Sequence, residues 1–358
     1  MSGREFDVQV VHTPPESPRG KVMQQYVLAR IMSMEGINIG LYDYDRHNAL
    51  YFFGVNADED IYFRYGGRDA ASPDTYLDFN SLELALRKGL ELHALHKAGK
   101  WIGSPRPTAR YPRDIPGVQE AVLGQRRCME CHHIAHFETM ELERTGKLDK
   151  LRHMFRSPDE KKIGIHFDIP KGLQIAKTEG PAAEAGMKAG DAIVAIESTP
   201  VLTFGDFQYR FDQVDRNSSA LALTVEREEE KLDLSVSLPK GWFVTDLSHR
   251  YYTIEPKVYF ESEPLTEAEK KSLDLPVDGF AVRVTEAPIE AMLEDVHELE
   301  NGDVIYSVNG VEKDEALGSL SLHIKVIHRA GDTLQLGVIR GSERIELKLN
   351  TQRKTYRI

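Results

Sequence analysis

The chain has 358 residues, 41% of them apolar and 28% charged, a length beyond one ordinary core and a composition that excludes a disordered or low-complexity protein. Its 57 acidic and 45 basic side chains leave a net charge of −12, which argues against a nucleic-acid partner, because phosphate binding needs clustered lysine and arginine. No run approaches the roughly eighteen apolar residues required to cross a bilayer.

Taken in chain order, Phe6–His12 alternates as a strand, and Lys21–Met34 reads as a helix with Val22, Met23, Tyr26, Val27 and Ile31 on one face. A strand is expected at Ile37–Tyr44. Ala49–Val55 and Ile61–Tyr65 then flank Asn56–Asp60 as a hairpin. Ser81–His96 is a helix carrying Leu82, Leu84, Leu86 and Leu90, capped by Asn80 or Ser81. This order of β, α, β, ββ, α over residues 1–100 resembles a thioredoxin fold. That resemblance places the reactive pair at Glu16–Lys21, where Ser17 and Gly20 stand at the two cysteine positions, so dithiol chemistry is excluded there. Tyr62–Asp69 ends in Gly66-Gly67 between Arg64 and Arg68. Two arginines so placed either clamp an anion or pair with acidic neighbours such as Asp43, Asp45, Asp58 and Asp60.

Gly99–Gly117 is rich in proline and glycine and reads as a linker, within a segment 101–158 that is helical from Val118 to Lys147. This segment holds both cysteines, in Cys128-Met129-Glu130-Cys131-His132. C-x-x-C-H is the spacing at which two thiols attach a covalent c-type haem (haem c) and the next imidazole ligates the iron. On that reading His132 is the proximal ligand and His153 or Met154 the candidate sixth ligand, while His136, one turn after His132, lies on the wrong side. Two other readings use the same residues: a redox dithiol of Cys128 and Cys131, and a zinc site of both cysteines with His133 or His136. A haem implies a periplasmic or otherwise extracytoplasmic protein. Met1–Phe6 lacks the basic start and apolar core of a secretory signal, and without haem the cytoplasm is expected.

The second half repeats itself. Ala189–Ile196 is echoed by Asn301–Val308 and Ala220–Arg227 by Thr333–Arg340, at one nearly constant offset. Gly180–Ile196 strongly resembles a PDZ domain of the kind attached to bacterial periplasmic proteases. The resemblance implies capture of protein C-termini or extended peptides on a Φ-Gly-Φ loop and the strand after it, for which Lys162, Ile163, Gly164 and Ile165 are the matching residues, with helix Phe204–Val214 facing them. In the second copy Ala287–Glu294 replaces the small-residue helix, and no Φ-Gly-Φ loop is legible in Leu273–Pro276. Its groove is therefore doubtful. The boundaries expected are 1–100 for the thioredoxin-like domain, 101–158 for the C-x-x-C-H segment, 159–240 and 263–350 for the two PDZ-like domains, with a linker at 241–262 around Trp242.

An α+β chain in this order is similar to a family of bacterial thioredoxin/PDZ (seleno)proteins, through Tyr62–Asp69, Cys128–His132, Gly180–Ile196 and Gly241–Arg250. Neither G-x-S-x-G nor H-E-x-x-H is present. The expectation is a peptide-binding scaffold carrying a redox or electron-transfer haem. Its rivals are a thiol–disulfide exchange enzyme using Cys128 and Cys131, and a plain adaptor without cofactor.

Overall fold

A computed structural model describes residues 3–101, 103–127, 129–245 and 254–353. The chain divides into two compact units, 1–251 and 252–358.

The first unit opens with helix α1 (Gly3–Val11), where the sequence predicts a strand. Spacing explains the difference: Phe6 and Val10, four residues apart, are buried, whereas Val8 and Val11 face solvent. Phe6 stacks on Phe79 with ring centroids 4.5 Å apart. Helix α2 (Pro18–Met23) starts on Ser17, whose hydroxyl accepts the Gly20 N–H at 3.0 Å, but stops well short of Met34. Tyr26 turns its hydroxyl to the Leu86 carbonyl at 2.5 Å, and Val27 and Ile31, expected in the core, are exposed. The expected strand Ile37–Tyr44 is a series of turns. Asn38 Oδ1 accepts the N–H groups of Gly40 and Leu41 at 3.1 and 3.3 Å, taking donors that a ladder would use.

Strands β1 (Tyr51–Val55) and β2 (Ile61–Gly66) form the expected antiparallel hairpin, closed by Asn56 Oδ1, which accepts the N–H groups of Asp58 and Asp60, both at 2.9 Å. Helix α3 (Phe79–Lys97) begins at Asp78, whose carboxylate accepts the N–H groups of Asn80 and Ser81, so the cap precedes both residues named from the sequence. The sheet of this segment has two strands among the described residues. With a helix first and turns at 37–44, the strand order expected of a thioredoxin-like domain is not formed. Short helix α4 (Pro116–Val118) follows, then α5 (Cys131–Arg144) and α6 (Lys150–His153). The predicted helix across Val118–Lys147 is broken before Cys131, where Arg126 takes a φ of 55°.

The first repeat contains β3 (Ile165–Phe167), β4 (Ile175–Thr178), α7 (Gly180–Glu184), β5 (Ala192–Ile196), β6 (Thr199–Pro200), α8 (Phe204–Phe211), β7 (Ala220–Arg227) and β8 (Glu230–Ser237), as a β3-β4 hairpin and a β6-β5-β7-β8 sheet. The second unit contains β9 (Pro256–Lys257), β10 (Glu261–Pro264), α9 (Glu267–Ser272), β11 (Val282–Glu286), α10 (Ile289–Leu293), β12 (Val304–Val308), α11 (Leu320–Ile327), β13 (Thr333–Arg340), β14 (Glu343–Asn350) and β15 (Gln352–Arg353). Its sheet runs β10-β11-β12-β13-β14, and β15 returns to pair with β9. The order strand, strand, short helix, strand, helix, hairpin thus occurs twice.

The duplication extends to one side-chain pair. In the first repeat the buried Asp191 of the Gly-Asp turn receives Arg227 Nε and Nη2 at 2.7 and 2.8 Å. In the second, Asp303 receives Arg340 Nε and Nη2 at 2.9 and 2.8 Å. Each arginine ends the long strand of its hairpin and fastens it to the turn before the preceding strand.

Candidate functional site

The Φ-Gly-Φ corner forms where the sequence places it. Asp159 accepts the Lys161 N–H at 3.0 Å and starts the single turn Glu160–Ile163, after which Gly164 takes a φ of 82° and leads into β3. Only glycine fits: a Cβ at Gly164 would lie 1.7 Å from the Glu179 carbonyl oxygen, as well as adopting a backbone that side chains disfavour. Ile163 and Ile165 are fully buried and anchor the corner. Among the described residues, strand β3 pairs with β4 alone. Phe167 of β3 packs against Phe204 and Phe207 of α8 at ring-centroid distances of 5.6 and 5.4 Å. This β3–α8 cleft is the candidate peptide groove.

The two lysines before it are committed elsewhere. Lys162 donates from Nζ to the Val244 carbonyl, and burial pushes its ammonium pKa down. Lys161 Nζ lies 2.5 Å from Asp69 Oδ2; burial alone would lower its pKa, and the Asp69 carboxylate outweighs that and raises it. Beside them Glu160 is 1% exposed, accepts the Tyr76 hydroxyl at Oε1 and has no partner for Oε2 among the described residues. Burial, then the neighbouring Asp159, pushes its pKa up to about 8, so the carboxyl is neutral at pH 7.

Helix α8 is set by a capping box in which Thr203 accepts the Asp206 N–H at 3.1 Å. Strand β2 runs past it: the Arg64 N–H donates to Asp206 Oδ1 at 2.9 Å, and Tyr51 donates to the Gly205 carbonyl at 3.1 Å. Burial raises the Asp206 pKa. The two arginines of Tyr62–Asp69 therefore meet acidic neighbours within the unit, Arg64 at 3.7 Å from Asp206 and Arg68 at 3.8 Å from Asp45.

At the C-x-x-C-H segment, Cys128 lies outside the described residues, as do residues 246–253 of the expected linker. Cys131 is the first residue of α5, half-buried, and its Sγ accepts the Tyr44 hydroxyl at 3.2 Å. Tyr44 stacks on Tyr51 with centroids 4.7 Å apart, so the thiol is joined through two rings to the Gly205 carbonyl. His132 Nε2, the atom a haem iron would take, faces Glu130 Oε2 at 3.4 Å. His133 Nδ1 accepts the Glu130 N–H at 3.2 Å in a capping box. Burial lowers the pKa of both imidazoles. His153 Nδ1 is bonded within its own helical turn at Asp149, and Met154 is buried. These two line a small cavity with Asp45, His47, Arg68, Arg156, Ser157 and Thr245. Its wall is charged, and neither Cys131 nor His132 is among the residues that line it. Among the described residues no three His, Cys, Asp or Glu side chains are grouped to hold a metal ion.

The second repeat has a loop that Leu273–Pro276 concealed. Its counterpart lies upstream, at Val258-Tyr259-Phe260, where Tyr259 takes a φ of 55° and its carbonyl meets His297 Nε2 at 3.0 Å. Helix α9 is inserted in the hairpin that follows, which displaces the loop from the repeat offset. The sequence carries a signal for it: Glu160-x-Lys162-Ile163-x-Ile165 is echoed by Glu255-x-Lys257-Val258-x-Phe260.

No family model matches this sequence, and no curated protein does. Solved structures do match. The PDZ domain of HtrA3 bound to a phage-derived ligand is 22% identical over 18% of this chain and 62% of that one, with a TM-score of 0.16. An HtrA-type protease with a decapeptide is 13% identical over 51% of this chain and 54% of that one, with a TM-score of 0.26. The PDZ domain of EpsC from Vibrio cholerae is 20% identical over 27% of this chain and 97% of that one, with a TM-score of 0.18. The chain thus spans less than two thirds of the first two. These likenesses concern fold alone, and the PDZ-like description of the repeats rests on their order of strands, helices and corner loop.

Proposed function

We propose that this protein is a modular scaffold that binds extended peptides or protein C-termini in the β3–α8 cleft of its first repeat. The observation that supports this most directly is Gly164, held at φ 82° against the Glu179 carbonyl, because it turns the chain into β3, whose Phe167 packs on α8. Ile163, Gly164 and Ile165 form the corner, and Lys162 supports it through Val244. The HtrA3 PDZ domain holds a phage-derived ligand and the HtrA-type protease a decapeptide, consistent with this reading. The test uses the intact chain with peptides carrying a free C-terminal carboxylate and with their amidated twins. Preference for the free acid, lost in Gly164→Val, is the expected result; equal binding of both twins removes the C-terminal mode, and binding of neither removes the reading.

A second role is proposed for Cys128 and Cys131 as a thiol–disulfide pair, favoured by Cys131 standing at the start of α5 with its sulfur on the Tyr44 hydroxyl. The alternative, haem attachment in an extracytoplasmic compartment, is separated from it by intact mass: a haem adduct, a dithiol and a disulfide all differ.

A further inference from the structure

We infer that Gly66–Asp69, together with Tyr76, is an internal strap that occupies the first repeat's groove, so that a peptide must displace a segment of the same chain before it binds. This rests on the reading of the β3–α8 cleft as a peptide site. Phe204 and Gln208 lie one turn apart and share a face of α8. Phe204, together with Phe207, meets Phe167 of β3. On its open side the Phe204 ring stacks on Tyr76, with centroids 3.3 Å apart and planes 7° from parallel. The backbone at Gly67 presses on the same ring, since a Cβ there would stand 2.4 Å from it.

One turn further on, the Gln208 carboxamide reads both main-chain groups of a single strap residue. Its Nε2 donates to the Arg68 carbonyl at 2.7 Å, and its Oε1 accepts the Arg68 N–H at 3.3 Å. The strap is thus held through a main-chain donor and acceptor, the groups through which an extended peptide also binds. The strap then ends on a carboxylate. Asp69 lies 2.5 Å from Lys161, in the turn that leads to Gly164, while Tyr76 donates to Glu160 in that turn. Aromatic packing, main-chain pairing and a carboxylate beside the corner are three parts of a ligand's interaction, all supplied by the chain itself.

Gly66 and Gly67, at φ 134° and 141°, permit the approach, because other residues rarely take that backbone. Gly67→Ala meets both obstacles at once, the backbone and the Phe204 ring, while lying outside α8 and the Gly164 corner. A tethered competitor lowers the population of open groove and weakens apparent affinity by the same factor, so release is expected to tighten peptide binding by about tenfold or more.

The experiment uses intact wild-type chain and Gly67→Ala, with a fluorescent decapeptide pool of randomised C-terminal residues and free carboxylate, and an amidated twin pool. Tighter, carboxylate-dependent binding by Gly67→Ala, abolished by adding Gly164→Val, supports the strap. Equal carboxylate-dependent binding by wild type and variant overturns the strap and leaves the groove reading standing. Absence of carboxylate-dependent binding in both overturns the groove reading, and the strap with it. Should Gly67→Ala unfold, as circular dichroism would show, hydrogen exchange on wild-type chain decides. Saturating free-acid peptide should expose the amides of residues 66–69, and unchanged protection with peptide bound overturns the strap.

Discussion

The two repeats share a clasp and differ at the corner. Asp191 with Arg227 and Asp303 with Arg340 are superimposable in chemistry, each a buried turn aspartate held at two nitrogens by the arginine ending a long strand. At the corner, the first repeat places Gly164 in the left-handed region and packs it against a carbonyl, and the second places Tyr259 there. The difference teaches which element each copy cannot vary. The clasp is a matter of charge and works in both. The corner is a matter of space, and space is short only in the first copy.

Substitution at the corner should separate the repeats most. Gly164→Ala has both a forbidden contact and an unfavourable φ, and is expected to destabilise the first unit by about 3 kcal/mol or more, whereas Tyr259→Ala keeps a backbone that already carries a side chain and should cost under about 1.5 kcal/mol. Urea unfolding of each variant checks the pair, and equal losses would break the contrast. Next in size is a pH effect expected in the first copy. Glu160, whose burial and Asp159 neighbour raise its pKa to about 8, holds a proton in the folded chain that the unfolded chain releases near pH 4.5. Stability therefore falls as pH rises from about 4.5 toward 8 and levels off above, by a few kcal/mol in order of magnitude. Glu160→Gln should flatten that slope, and a slope unchanged in the variant would assign it to other groups.

Smaller again, Asp191→Ala and Asp303→Ala each remove a buried acceptor of two charged donors, at a cost of about 2 kcal/mol to the unit that holds it. Matching losses in chemical denaturation would establish the clasps as equivalent, and a twofold inequality would end the comparison. The smallest effect is expected at the helix starts. Thr203 caps α8 in a capping box, while Ser319 accepts the Leu322 N–H at 3.2 Å without one, so Thr203→Ala should cost about 1 kcal/mol and Ser319→Ala somewhat less. Thermal melts of the two variants rank them.

Legibility in the sequence followed range. The β1–β2 hairpin, α3 and the duplicated Gly-Asp turns were readable because a few adjacent residues decide each: Asn56 folds its own turn, and Gly190-Asp191 and Gly302-Asp303 repeat the same letters. Phe6–His12 was misread because its alternation also contains the Phe6 and Val10 pair, and only contact with Phe79 selects the helix. Ile37–Tyr44 was misread because Asn38 binds its own backbone, a local competitor that apolar spacing does not reveal. At the candidate site, Ile163, Gly164 and Ile165 were legible from the Φ-Gly-Φ pattern, while the second corner was hidden by tyrosine at the glycine position. The contacts of Arg68 with Gln208 and Tyr76 with Phe204 join segments more than a hundred residues apart, beyond any window of pattern reading.

The way β2 runs along α8 has a practical consequence. Tyr51, Arg64 and Tyr76 together satisfy or cover Gly205, Asp206 and Phe204, so cutting the chain before residue 159 would bare an aromatic ring, a carboxylate sheltered from water and a main-chain carbonyl on one surface. Such a fragment is expected to stick to itself, and its affinities would describe a surface that β2 and Tyr76 cover in the intact chain.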